Sequence, residues 1–215
     1  MSGFPLILSS PSGGGKTTIA HELLRRRTDC GYSVSCTTRP ARANERDQTD
    51  YFFLTREAFL AARERGEFAE SAQVHDHLYG TLRREVDRVL ASGKNVVMDI
   101  DVQGARQFIE LYPDSVLVFI LPPNSEVLLE RLRERGTESG ETLERRLKSA
   151  VAELQAVGMY HYVVVNDDLD RAVEAVSKIV DAEQMRTSRI SRLGERVGEV
   201  VVGLEAALKN NQRSN

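Results

Sequence analysis

Four short, nearly unbroken apolar runs recur along the chain, at residues 6–8, 95–100, 116–121 and 162–165. Between them apolar positions return every three or four residues, over 17–26, 102–111, 127–135, 143–157 and 172–185. Runs of the first kind read as strands buried on both faces, and segments of the second as amphipathic helices. Their alternation predicts an α/β fold, a parallel sheet covered by helices on both faces. Ser125 is placed to cap the helix that carries Val127, Leu128 and Leu132. Residues 33–90 break the rhythm: they are polar, aromatic and arginine-rich, with one helical pattern near 57–65 and short strand-like pieces on either side. They predict an inserted mixed α/β subdomain, leaving 1–32 and 91–186 as the core. Residues 136–142 read as a flexible polar loop between two arginine-bearing helices, which suits a short lid at about 126–157. The tail, 187–215, carries Ile190, Leu193, Val197, Val200, Val201, Leu204 and Leu208 at helical spacing, weakened by Gly194, Gly198 and Gly203. That pattern fits either packing on the chain's own core or a subunit contact in a homo-oligomer.

The first strand and first helix bracket Ser10-Pro11-Ser12-Gly13-Gly14-Gly15-Lys16-Thr17-Thr18. Strand, glycine-rich loop with lysine, and helix start together make a phosphate-binding P-loop. Glycines let the backbone bend until successive N–H groups face one anion, and the helix adds the positive end of its dipole. Lys16 supplies a mobile charge for the β- and γ-phosphates, and Thr17 the hydroxyl such loops give to Mg²⁺. Ser12, Gly13, Gly14, Gly15, Lys16, Thr17 and Thr18 are therefore candidate ATP-binding residues. One position departs from the motif: Ser10 stands where a glycine is usual. Pro11 biases it towards an extended conformation that serine adopts without strain. A flexible linker is the bland alternative, and the flanking apolar strand and periodic helix argue against it.

Composition narrows the class further. A chain of 215 residues suits one globular domain with small insertions. No apolar run approaches the roughly 20 residues that span a bilayer, and no leader is expected. Cys30 and Cys36 read as reduced thiols of a cytoplasmic protein. The net charge of −3 does not predict a nucleic-acid partner. The four histidines show no metal-ligand spacing, and no internal repeat is present. The arginines cluster locally, which points to small anionic ligands.

The inserted region carries such a cluster. Arg39 and Arg42 follow a short strand-like run; Asp50-Tyr51, then Glu70, then Leu78-Tyr79-Gly80-Thr81 come after. Arginine forks match phosphate oxygens, and tyrosine hydroxyls add neutral donors, so Arg39, Arg42, Tyr51 and Tyr79 can hold one monophosphate. An ionised Glu70 only accepts hydrogen bonds. Guanine offers it adjacent N1–H and N2–H₂ donors, and Ser35 or Thr81 can donate to O6. Adenine would leave the carboxylate buried without a partner, at a cost of several kcal/mol. Asp99 ends an apolar run where a buried parallel strand would present an acid to hydrated magnesium. Asp101, two residues on, would share its face on a continuing strand, or would serve as a cap at the start of the loop.

These pieces together resemble the guanylate kinase family. The resemblance rests on residues 11–18, 33–42, 50–53, 67–70, 79–81, 99–104, 135–138 and 166–167, in family order, and it fades beyond about residue 187. It implies phosphorylation of GMP, and of dGMP, by ATP with Mg²⁺. It also implies a P-loop core, a GMP-binding subdomain and a lid. Residue by residue it implies GMP contacts at Ser35, Arg39, Arg42, Tyr51, Glu70, Tyr79, Thr81 and Asp101. Asn166 would touch adenine, and Thr17 with Asp99, through water, would hold the metal. Lys16, Arg39, Arg135 and Arg146 would act on the transferring group; Arg131, which also flanks the lid, is a further candidate, and Arg145 a neighbour. Two rival readings remain at this point: a non-catalytic scaffold module of the same fold, disfavoured by the intact loop and lid arginines, and a kinase for another small acceptor.

Overall fold

The computed structural model describes residues 3–43, 45–74, 76–139 and 143–213, with the side chains of 135–139 and 211–213 outside that description. Five parallel strands form the main sheet: β1 (Pro5–Ser9), β2 (Cys30–Tyr32), β7 (Asn95–Asp99), β8 (Val116–Leu121) and β9 (Tyr162–Val165). They lie in the order β2-β7-β1-β8-β9. Both faces are covered, as the near-continuous apolar strands require. Leu6, Leu8, Val97, Val118 and Ile120 point to one side, against Ile19 and Leu23 of α1 (Lys16–Arg26) and Val173, Val176 and Val180 of α7 (Leu169–Gln184). Ile7, Val96, Met98 and Leu117 point to the other, against Val86 and Val89 of α3 (Arg83–Ala91) and Ala105 and Phe108 of α4 (Val102–Leu111).

Four further strands, β3 (Ser35–Thr37), β4 (Phe52–Phe53), β5 (Phe68–Val74) and β6 (His77–Leu82), make a second sheet in the order β4-β3-β6-β5. With α2 (Arg56–Glu64) they close a small core around Cys36, Phe59, Phe68, Leu78 and Leu82. Thr55 caps α2, its hydroxyl accepting from the Ala58 N–H. The β5–β6 pairing slips between Phe68 and Glu70. Such a bulge re-aims side chains. Here Ala69 turns into the main core while Glu70 faces the site.

Several boundaries differ from the sequence reading. The cap of α5 (Ser125–Ser139) is Asn124 rather than Ser125: its Oδ1 accepts the Val127 N–H at 2.9 Å. Residues 136–139, expected as loop, continue α5, and 140–142 lie outside the described residues. One glycine costs a helix only about 1 kcal/mol, so Gly136 alone does not end it. The paired helix α6 (Leu143–Gln155) packs Ala150, Leu143 and Leu147 against Leu128 and Leu132, a small core of its own. The strand β7 stops at Asp99, so Asp101 does not continue it; Asp101 caps α4, accepting the Gly104 N–H at 2.7 Å.

Only the start of the tail packs on the core. Arg189 is buried with its guanidinium 4.1 Å above the Phe4 ring, donating to the Glu183 carboxylate and the Asp114 carbonyl. Beyond it α8 (Leu193–Arg213) leaves Val197, Val200, Val201, Val202, Leu204 and Leu208 exposed. A Cβ at Gly194, Gly198 or Gly203 would meet nothing within 4 Å.

Candidate active site

The loop between β1 and α1 has the conformation its glycines allow. Gly13 and Gly15 sit at φ +81° and +91°, a region costly for other residues, and Gly15 caps α1. Three distant segments press on it. Asn166, at the end of β9, is buried and its Nδ2 donates to the Gly14 carbonyl at 2.9 Å. Leu128 and Arg131 of α5 lie against Gly13. Glu153 of α6 accepts the Ser12 N–H at 3.1 Å. The amide of Asn166 thus grips the loop backbone. It also lines, with Gly13, Gly15, Thr18, Arg131 and Asp167, an outer cavity of about 560 Å³.

At the helix start the Thr17 hydroxyl donates to one oxygen of Asp99 at 2.5 Å, and the Tyr32 hydroxyl to the other at 2.7 Å. Burial first, then the Asp99 charge, pushes the Tyr32 hydroxyl well above its ordinary range, so it remains a donor. Sequence reading missed Tyr32; a contact across 67 residues leaves no local signal.

Thr17, Asp99 and Lys16 open into a larger cavity of about 780 Å³. Its far wall is the second sheet. Glu70 is buried there, accepting from the Thr81 hydroxyl at 2.7 Å, and the Ser35 and Thr81 hydroxyls lie 3.5 Å apart. Burial pushes the Glu70 carboxyl up to about 7; the Thr81 hydroxyl works against this, and the nearby Asp101 charge adds to it. Gly104 lies directly beneath: a Cβ at that position would be 2.6 Å from Glu70 Oε2. Arg39, Arg42, Tyr51 and Tyr79 line the same cavity. Glu45, which sequence reading also missed, binds the Arg39 fork with both oxygens at 2.7 Å and accepts the Arg42 N–H at 2.9 Å. Arg39 lies 5.3 Å from the Tyr51 ring centre, and Tyr51 meets Tyr79 edge-on at 6.2 Å.

The α5–α6 arm closes the third side. Arg145 and Arg146 line the cavity with Glu153. Arg146 is buried and donates to the Leu132 carbonyl at 3.1 Å. The side chain of Arg135 lies outside the described residues. One cavity therefore joins the glycine–lysine loop to a buried carboxylate with hydroxyls beside it.

A family model described as "Guanylate kinase" matches residues 2–183. The chain belongs to the guanylate kinase family. A guanylate kinase of Thermotoga maritima is 47% identical over 189 residues, covering 88% of this chain and 91% of that protein. One of Myxococcus xanthus is 44% identical over 199 residues, covering 91% and 95%. The crystal structure of guanylate kinase from Anaplasma phagocytophilum superposes with a TM-score of 0.75 at 37% identity, covering 90% of this chain and 93% of that one. The kinase is an ATP:GMP phosphotransferase; it transfers the γ-phosphoryl of ATP to GMP, giving ADP and GDP. Among its described residues no helix is long and apolar enough to cross a membrane.

Proposed function

We propose that this transfer runs in the larger cavity, with each predicted residue in the role that its position supports. What carries the reading is the opening of the Lys16–Thr17 loop and of Ser35 and Glu70, the latter backed by Thr81, into one space. Lys16 and the amides of Gly13 to Thr18 hold the donor phosphates, with Ser12 at the loop's entry. Arg39, Arg42, Tyr51 and Tyr79 hold the acceptor phosphate, and Glu70 reads guanine with Ser35, Thr81 and Asp101 around it. The acceptor oxygen is already an anion, so no general base is needed, and the work is positioning and charge neutralisation. Arg146 and Arg145, joined by Arg135, swing from the α5–α6 arm onto the transferring group, while closure excludes water. The adenine lies in the outer cavity beside Asn166.

Thr17 and Asp99 form an all-oxygen donor pair of the hardness Mg²⁺ takes, which supports a metal held by the Thr17 hydroxyl and, through water, by Asp99. When bound, Mg²⁺ neutralises charge on the donor phosphates. The family resemblance extends the acceptor to dGMP. The cytoplasm is the compartment that suits it: Cys30 and Cys36 are buried thiols pushed up to about 11 and about 12 by burial, and such groups stay neutral and unreactive there.

A coupled assay across GMP, dGMP, AMP, CMP and UMP tests the substrate reading. Turnover is expected only with GMP and dGMP, and Lys16→Met is expected to abolish it in a folded chain. Retained turnover in that variant would remove the P-loop assignment. The exposed apolar face of α8 supports a homo-oligomer, since a free helix with three glycines is marginal in water. Light scattering should give a multiple of the monomer mass for the full chain and the monomer mass for a chain ending at residue 190. Equal monomer masses would end that idea.

A further inference from the structure

The α5–α6 arm is a semi-independent unit. Its apolar contacts, Ala150, Leu143, Leu147 and Leu154 against Leu128 and Leu132, form a cluster separate from both cores of the main sheet. Such a unit moves as a body unless something fixes it. Along α6, Arg146 and Ser149 precede Glu153 by seven and four residues, so the three share one face, and all three border the large cavity. Arg146 and Glu153 are then about 10 Å apart along the axis, two helical turns. At the near end of this lever the Glu153 carboxylate accepts the N–H of Ser12, across 141 residues of chain.

We propose that Glu153 is a positioning residue for phosphoryl transfer, a fulcrum that ties the arginine face of α6 to the phosphate-binding loop. Its hydrogen bond sets the distance between Arg145 and Arg146 and the phosphates that the loop holds. A half-buried carboxylate is a costly way to fill space, and burial raises the Glu153 pKa against the opposing pull of the Ser12 N–H and Lys16. An apolar residue would pack there at less cost. It could not accept the Ser12 N–H, and the arm would lose this tie to the loop. A displacement of about 1 Å at the pivot is enough to lose on the order of a hundredfold in rate when the arginines must meet a transition state.

The inference rests on the proposal that the α6 arginines reach the transferring phosphoryl, and the test separates the two. Four variants are compared by steady-state kinetics and thermal melting. Glu153→Ala removes the acceptor, and Glu153→Asp keeps the charge but withdraws it by one methylene. Both are expected to lower kcat at least about tenfold, with KM for GMP within about twofold. Glu153→Gln loses the charge and keeps an oxygen at the right reach, and should recover most of the rate lost in Glu153→Ala. Arg146→Ala should be slow in its own right. If Glu153→Asp turns over like the parent, or Glu153→Gln is as slow as Glu153→Ala, charge rather than the hydrogen bond is at work and the fulcrum is wrong. The same holds if Arg146→Ala is slow while Glu153→Ala is not. If Arg146→Ala is fully active, the arginine proposal fails instead, and a slow Glu153→Ala would then report on the loop alone. Glu153→Gln and Glu153→Asp keep the test decisive should Glu153→Ala not fold.

Discussion

The binding of GMP should be strongly pH-dependent because Glu70 is held near the middle of its titration. Its carboxyl is pushed up to about 7 from 4.5, chiefly by burial. Only the ionised form can accept both guanine donors; a protonated Glu70 presents an O–H towards N1–H. The competent fraction is then about one part in eleven at pH 6 and about ten in eleven at pH 8. Apparent affinity scales with that fraction, so KM for GMP should fall about tenfold between these values and level off above. GMP's own phosphate also titrates near 6. Glu70→Gln provides the reference, because it keeps the phosphate's titration and removes that of the carboxyl. The variant should bind GMP weakly, with a flatter profile. Calorimetry in buffers of different ionisation enthalpy adds a second measurement: GMP binding at pH 7 should release about half a proton more from the parent than from Glu70→Gln. Equal proton release, or parallel pH profiles, would refute the assignment of Glu70 as the guanine acceptor.

The same shift has a signature in stability. A carboxyl raised in the folded state binds protons more tightly there than in the unfolded chain, so its contribution is present in full below about 4.5. It is lost as the pH rises through about 7. The shift corresponds to roughly 3 kcal/mol at most. The ligand-free melting temperature of the parent should therefore decline between pH 5 and 7.5 relative to Glu70→Gln, and GMP should reverse the decline. Under the proposed assignment, guanine offsets the cost that the fold bears for an ionised carboxylate there.

Two substitutions probe the neighbours. Gly104→Ala should raise KM for GMP by on the order of ten- to a hundredfold without loss of fold, because the new Cβ would sit 2.6 Å from Glu70 Oε2, while alanine is the better helix former by about 1 kcal/mol; a GMP titration and a melting curve check it, and an unchanged KM would show that Glu70 has room to spare. Asn166→Ala should weaken binding of both ATP and inorganic tripolyphosphate by about tenfold, since the lost bond grips the Gly14 carbonyl; if only ATP binding weakens, Asn166 serves adenine and the loop holds its shape without it.

Much of this was legible in sequence, for reasons that can be stated. β8 and β9 match the apolar runs and α4 the periodic segment residue for residue, because burial on two faces and on one stripe leaves distinct periods. The helix α3 went unread: only Val86, Val89 and Leu90 among its larger side chains are apolar, too few to stand out inside an arginine-rich insertion. β2 went unread because Cys-Gly-Tyr has no apolar run, and its place in the sheet comes from pairing with β7. Of the residues that line the larger cavity, Lys16, Thr17, Arg39, Glu70, Tyr79 and Arg146 are among those the motifs singled out. Glu45, Tyr32 and Glu153 were not: Tyr32 and Glu153 act on partners 67 and 141 residues away, whereas Glu45 pairs with Arg39 only six residues back and belongs to no motif that marks it.

The serine at position 10 shows why a motif is a weaker statement than the structure behind it. A first glycine is one way to let the loop turn back on itself. Here Ser10 is buried and the close approach falls on its partner: a Cβ at Gly14 would lie 2.6 Å from the Ser10 Cβ. The glycine requirement has settled on Gly14, where the two sides of the loop touch, and on Gly13 and Gly15, where φ is positive. Beyond its own Gly14 N–H to Pro11 carbonyl bond at 2.8 Å, that turn is held from outside: by the Asn166 amide on the Gly14 carbonyl, Arg131 and Leu128 against Gly13, and Glu153 on the Ser12 amide. A loop clamped at Ser12, Gly13 and Gly14 by three distant segments does not depend on freedom at its first residue. Its tolerance of Ser10 and its dependence on Glu153 and Asn166 are therefore two consequences of one arrangement.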